Sequence, residues 1–210
     1  AGHFCGTDKT ERDVFARLLY GFRIAMTFSL GYLILTYLIA ICVGSIMGYF
    51  GGKTDILGLR LVEIWANVPF LYMVIILVSV MPSWWGIGWR VSSLLIIMVL
   101  FSWTGMTYYI RAAVYKEKAR DYVSAAKVIG ASSSRIIFRH LLPNVISTLV
   151  TFAPFTIAAA VSSITALDFL GYGLPPPTPS WGELLKQGVN NLRIAPWIVI
   201  SSVTTLVLTL

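Results

Sequence analysis

The feature that most constrains this chain is where its charges are missing. Five stretches of its 210 residues carry no Asp, Glu, Lys or Arg: 24–52, 64–89, 91–110, 141–167 and 194–210. About 20 apolar residues of helix cross a hydrocarbon core of roughly 30 Å. Four stretches meet that length, and the fifth runs to the last residue. Charged residues make up only 12% of the chain and hydrophobic ones 57%, against a usual charged share of about 25%. A water-soluble domain needs more charge than this to cover its surface, and disorder needs far less hydrophobicity. The fold class is therefore all-α, a polytopic helical membrane protein.

The spans are drawn at roughly 24–50, 57–81, 91–110, 144–168 and 196 onward, all within a single transmembrane domain, 1–210. The chain starts at Ala1 and stops inside an apolar run at Leu210. It reads as a fragment with about five spans of a larger bundle, whose first and last spans are expected to lie outside it. Residues 1–23 read as an amphipathic lead-in with a helix start at Thr7-Asp8. Gly44 and Gly48 form a G-x-x-x-G pair, which suits either close helix approach or the ordinary glycine enrichment of membrane helices. Arg60 and Glu63 read as a snorkelling pair in the first turns of the second span. Pro69 is expected to kink that span.

Gly48 to Thr54 is a near miss for a phosphate-binding loop. Three residues separate its outer glycines where four are needed, and it follows a membrane helix rather than a strand. Nucleotide binding by this segment is excluded. Cys5 and Cys42 are distant, and with two histidines they make neither a disulfide framework nor a metal cluster.

Charge placement sets the topology. The segment 111–143 holds Arg111, Lys116, Lys118, Arg120, Lys127, Arg135 and Arg139 against Glu117 and Asp121. Basic residues concentrate on the cytoplasmic side, so this loop is placed inside. Parity then puts 51–56 inside, and 1–23, 82–90 and 169–195 outside. The net charge of +7 is thereby a matter of membrane topology, with no call for nucleic acid.

Within that loop, Tyr122 to Ile129 reads as a short helix with small residues at Ser124, Ala125 and Ala126. Gly130 is placed to cap it in a left-handed conformation. Ser132, Ser133 and Ser134 offer N-caps for a second helix, Arg135 to Leu142, which Pro143 ends. Physics alone leaves two readings open, a docking element for a partner or a plain connection. In the outer segment, Pro175 to Pro179 forms a stiff extended element. Ser180-Trp-Gly-Glu183 fits a capping box for a short amphipathic helix.

The stretch Tyr122-Val-Ser-Ala-Ala-Lys-Val-Ile-Gly130, then His140-Leu-Leu142-Pro143, resembles the "EAA" loop of permease subunits in binding-protein-dependent ABC importers. Ala125, Ala126, Gly130, Leu142 and Pro143 match that pattern. Ser124 stands for its glutamate and His140 for its isoleucine. Gly6-Thr7-Asp8, Arg12-Asp13-Val14, Gly48 to Gly52, Arg135 to Asn144 and Leu167 to Gly171 are similar to the C-type subunit of oligopeptide, dipeptide and nickel importers. Glu11 stands where that family commonly has glycine. The runs Ala166 to Leu174 and Gly182 to Gly188 look nearest to the Yej-type peptide and microcin C subgroup.

The resemblance implies a type I ABC importer transmembrane domain in the bacterial inner membrane, itself non-catalytic. It implies a permease for peptides or peptide-like substrates that forms half of a heterodimeric pathway with a homologous second permease. Two ATPase subunits would hold ATP and Mg, this chain binding no cofactor and no metal. An extracytoplasmic solute-binding protein would deliver the substrate. By position, Asp121, Tyr122, Ser124, Ala125, Ala126, Gly130, His140, Leu142 and Pro143 would meet the ATPase, with Asp121 supplying the acidic contact that Ser124 lacks. Trp181, Glu183 and Lys186 are candidates for binding-protein contact.

The competing readings are a non-peptide importer for nickel, an ion-gradient transporter, an intramembrane serine protease and a passive channel. The gradient-driven reading needs ionisable groups near mid-membrane, and the spans as drawn hold none at their centres. The protease reading lacks a serine–histidine pair at membrane depth, since His3 falls outside and His140 in the loop. A channel has no need of the loop.

Overall fold

The computed structural model describes residues 5–8, 10–82 and 84–210, so His3 lies outside the described residues. The described residues form helices α1 (Val14–Phe50), α2 (Gly52–Ala66), α3 (Phe70–Ser79), α4 (Ile87–Lys118), α5 (Asp121–Val128), α6 (Ser133–Leu170), α7 (Trp181–Asn190) and α8 (Pro196–Thr209). α1, α4 and α6 are long and apolar enough to cross a membrane, and the pair α2–α3, bent by 66° at its break, is apolar enough only when its two helices are taken together. At about 1.5 Å per residue each of the three exceeds the hydrocarbon thickness, so each extends past it.

Two helix boundaries differ from the sequence expectation, each for a local reason. No helix starts at Thr7-Asp8. The Asp8 carboxylate accepts from the backbone N–H groups of Thr10 and Arg12, both within 2.9 Å, which draws Thr10, Glu11 and Arg12 into a turn against Asp8. Asp13 then caps α1 by accepting from Phe15 N–H at 2.8 Å, so lead-in and first span are one helix from Val14. Inside the turn Glu11 has φ +59°. That left-handed region favours glycine, the residue that the resemblance leads one to expect here.

Pro143 does not end a helix. α6 runs through it, widened to a π-helix over Ile136–Leu141. A proline in an α-helix clashes with the carbonyl four residues back and leaves it without a donor. The wider turn immediately before Pro143 relieves that clash, and local π adjustment is one of the ways a membrane helix tolerates a proline. Asn67 to Pro69 interrupts the second span, as the proline predicts.

The chain divides into two compact units, one of 1–32, 74–97 and 155–210, the other of 33–73 and 98–154. The second unit is built around close approach of α1 and α4. A side chain at Gly44 would meet the Thr107 carbonyl at 2.9 Å, and one at Gly48 the Arg111 carbonyl at 2.7 Å. The G-x-x-x-G pair is therefore a packing groove. Ile110, Val114, Val123, Ile136, Leu141 and Val145 fill the core beside it. Tyr49, at the last turn of α1, lies with its ring 5.7 Å from both Lys118 Nζ and Lys127 Nζ.

The first unit packs Val14, Leu18, Val161, Trp181, Leu184 and Ile198 into one cluster. The buried Trp181 indole N–H donates to the Leu18 carbonyl at 3.0 Å. Around it, the buried Arg17 guanidinium donates to Asp8 Oδ2 at 2.6 Å and to Glu183. Arg17 is only 5% exposed, a depth at which an arginine requires this pairing.

Candidate functional site

α5 begins after Arg120, whose extended backbone (φ −81°, ψ 150°) starts the helix without a side-chain cap. Asp121 in the first turn and Lys127 in the last complement the helix dipole. The helical period then sorts the rest. Val123 and Ala126, three apart, are buried in the unit's core. Asp121, Ser124, Ala125, Lys127, Val128, Ile129 and Gly130 are exposed. Of the alanine pair, only Ala125 presents itself on the surface, because Ala126 faces its own core. Val128 and Ile129, 86% and 84% exposed, were not singled out in the sequence. Their signal was available: two β-branched apolar residues just before a helix-capping glycine.

The end of α5 is a complete Schellman motif. Gly130 takes φ +82°, its N–H donates to the Lys127 carbonyl, and Ala131 N–H donates to the Ala126 carbonyl, both at 3.0 Å. A side chain at Gly130 would meet nothing within 4 Å. What the position requires is the backbone angle, not tight packing. Ser132 then caps α6 through its hydroxyl, which accepts from Arg135 N–H.

Tyr122 ties this turn to its surroundings. Its hydroxyl donates to Glu117 Oε2 at 3.0 Å and accepts from Asn144 Nδ2 at 3.1 Å. Asn144 also donates to the His140 carbonyl at 2.8 Å. One phenol thereby links the end of α4, the start of α5 and the junction where the π segment of α6 becomes α-helical. Burial, then the Glu117 hydrogen bond, holds its acidity weaker than that of a free tyrosine, so the O–H stays in place as a donor. His140 itself is half-buried within the π segment, Leu142 is partly buried against the core, and Pro143 is exposed.

The three outer candidates are placed differently. Trp181 is 2% exposed, so its indole is a core element of the first unit and is withdrawn from the surface. Ser180 caps α7 by accepting from Glu183 N–H at 3.1 Å, one half of the expected box. The Glu183 carboxylate does not return the bond; it pairs with Arg17 and lies 3.7 Å from Arg12. Lys186 is exposed. Among the described residues, no group of three or more His, Cys, Asp or Glu is placed to hold a metal ion.

One tyrosine thus ties a short basic helical turn to two long apolar helices. A family model described as "Binding-protein-dependent transport system inner membrane component" matches residues 40–210. The chain is 43% identical over 204 residues to the "Peptidoglycan transport system permease protein YejE" of Agrobacterium fabrum, covering 97% of this chain and 52% of that one. It is 34% identical over 195 residues to the oligopeptide transport system permease protein OppC of Bacillus subtilis, covering 93% of this chain and 62% of that one. The chain thus spans about half the length of the first relative and under two thirds of the second. A chain of the MetNI methionine ABC transporter, solved in inward-facing conformations, is similar in fold with a TM-score of 0.65 at 16% identity, over 91% of this chain and 88% of that one.

Proposed function

From the premise that this chain belongs to the inner membrane components of binding-protein-dependent transport systems, we propose that it forms half of a peptide pathway and takes its energy from separate ATPase subunits. The observation that carries this is the α5 turn. Its exposed face offers Ser124 and Ala125, which are small, and Val128 and Ile129, which are apolar and almost uncovered. Such a face fits a partner's groove. Its buried face and Tyr122 tie it to α4 and α6, so displacement of the turn moves membrane helices.

In this reading ATP binding closes the ATPase dimer and pulls the turn with it. A second permease subunit completes the pathway, and an extracytoplasmic binding protein delivers the substrate. The turn is the element that both ATP and substrate bias. The peptide class is supported by the names of the two relatives, one a peptidoglycan and one an oligopeptide transport system permease. Asp121, in the first turn of α5 and exposed, supplies the acidic contact on the ATPase that Ser124 lacks.

The test is reconstitution of the full-length protein with its second permease, ATPases and binding protein in proteoliposomes. ATP-dependent uptake is measured for short peptides, peptidoglycan fragments and nickel. Peptide uptake is expected, with loss of ATPase co-purification when Val128 and Ile129 are both changed to Asp. The Asp121→Ala variant is expected to lower uptake severalfold; unchanged uptake and assembly would remove Asp121 from the contact. Uptake driven by an ion gradient without ATP would overturn the reading.

A further inference from the structure

The second span is fastened to α4 at two levels. Asp55, near the start of α2, pairs through both carboxylate oxygens with the Arg111 guanidinium. Ten residues on, Trp65 donates its indole N–H to the Leu100 carbonyl at 2.7 Å and stacks on Phe101 with ring centroids 5.7 Å apart. The two helices therefore run antiparallel side by side, with eleven residues of α4 matching ten of α2. Leu100 is in the middle of the uncharged stretch 91–110, and Arg111 is the first charge after it. Trp65 thus marks the middle of the span and Asp55 its edge.

Arg60 lies halfway between these marks. At about 1.5 Å per residue it sits roughly 7 Å along the helix from either one, and Glu63 about 3 Å from the Trp65 level. The sequence reading placed the pair at the edge of the span; these anchors place it deeper. Their side chains pair at 2.8 Å and remain 75% and 44% exposed. Leu57, Leu61 and Ile64 beside them are exposed too. Four residues beyond Glu63 the helix breaks, and Asn67 and Pro69 at the break are also exposed.

Lipid tolerates neither feature. Ionisable side chains at membrane depth face a bundle interior or a water-filled cavity. Non-helical backbone at that depth is accepted only inside protein or along such a cavity. Here the ion pair and the helix break, two independent features, occur within two turns of one another near the middle of the same span. In secondary transporters an interrupted helix at that level builds the substrate site.

We propose that Arg60 and Glu63 line the translocation pathway and bind the polar main chain of the passing peptide, a proposal that rests on the peptide-importer reading. Arg60 uses Nη1 on Glu63, and a guanidinium has five N–H donors, so several remain for a carbonyl or a terminal carboxylate. The Glu63 carboxylate accepts from an amide N–H or a terminal ammonium. Donor and acceptor side by side match the group that every peptide shares, whatever its side chains. When the pathway is empty the two charges satisfy each other, so neither is left bare.

The experiment uses the full transporter in proteoliposomes and a radiolabelled neutral tripeptide. In a parent with Cys5→Ser and Cys42→Ser, the variants Arg60→Cys and Glu63→Cys are treated with a membrane-impermeant cationic thiol reagent. Both positions are expected to react in the assembled complex, at least fivefold more slowly when ATP and tripeptide are cycling. In the native background Arg60→Gln is expected to raise the KM for uptake about tenfold. The charge-swapped Arg60→Glu/Glu63→Arg variant is expected not to restore it. Restoration by the swap would make the pair purely structural and overturn the proposal. Labelling of the isolated chain but not of the complex would place the pair in a subunit interface, and no labelling in either would place it in lipid; each overturns it. If the parent shows ATP-driven uptake of other solutes but none of peptides, the peptide reading fails and the ligand falls with it, while labelling still reports whether the pair faces water.

Discussion

The Asp8–Arg17–Glu183 cluster of the first unit and the α5 turn of the second use charge in opposite ways. In the first, a fully buried carboxylate and a guanidinium bind the segment before α1 to α7. In the second, Lys127, Asp121 and the apolar pair Val128–Ile129 are left on the surface, and only Tyr122, Val123 and Ala126 turn inward. Both regions contain a residue in the left-handed region, Glu11 at φ +59° and Gly130 at φ +82°. The contrast separates a part that holds itself together from a part that is shaped for something else to hold.

The largest test of that contrast is Arg17→Leu. Removing one partner of a buried ion pair leaves the other charge uncompensated, at about 3–5 kcal/mol. The expected outcome is a large drop in the thermal midpoint of the detergent-solubilised complex; a midpoint within a degree of wild type would refute the cluster's role. Acid should act on the same place. Burial alone would raise the Asp8 pKa, but hydrogen bonds from the Arg12 and Thr10 backbones, the Thr10 hydroxyl and Arg17 outweigh it and hold the carboxyl well below the usual range. A carboxyl whose folded pKa is depressed contributes stability above its unfolded value, about 3.9. That contribution fades as pH falls below this value toward the folded one. In Asp8→Asn this part of the acid sensitivity should be missing.

Gly130→Val comes next. Nothing crowds the position, so the whole cost is conformational, about 1–2 kcal/mol for a left-handed non-glycine residue. The turn should yield before the fold does. Uptake per ATP hydrolysed is expected to fall severalfold with little change in the global unfolding midpoint. A fall of the midpoint to match would mean that the turn is not separable from the core.

Glu11→Gly is the smallest and has the opposite sign. It relieves the same backbone cost, offset in part by the greater freedom glycine gives the unfolded chain. A gain of roughly 0.5–1 kcal/mol is expected in the same unfolding assay, and a loss would show that the Glu11 side chain matters more than its backbone.

Much of this was legible from residues alone. Long uncharged stretches have one stable form in lipid, so the long helices α1, α4 and α6 followed directly, while the stretch from 196 forms only a 14-residue helix; Pro69 marked its break because a missing N–H cannot be hidden. Gly130 and Ser132 were legible as caps, since each answers a local backbone need. The helix start at Val14 was not, because Asp8 serves a turn and a buried arginine that is nine residues away. Pro143 misled for a related reason: a proline shows the clash but not the π-turn that absorbs it.

The sequence by itself determined that the chain crosses a membrane, where it does so, and that its basic loop carries a capped helical turn. Each of these depends on hydropathy or on neighbours within one turn. The tertiary structure decided which side of that turn faces outward, that Trp181 and Glu183 pack and pair within the first unit, and how α2 is registered against α4. Those outcomes are set by contacts between residues far apart in the chain, such as Asp55 with Arg111 or Arg17 with Glu183. A pattern read along one strand of sequence does not contain such pairings, because the free energy that fixes them exists only once the helices are side by side.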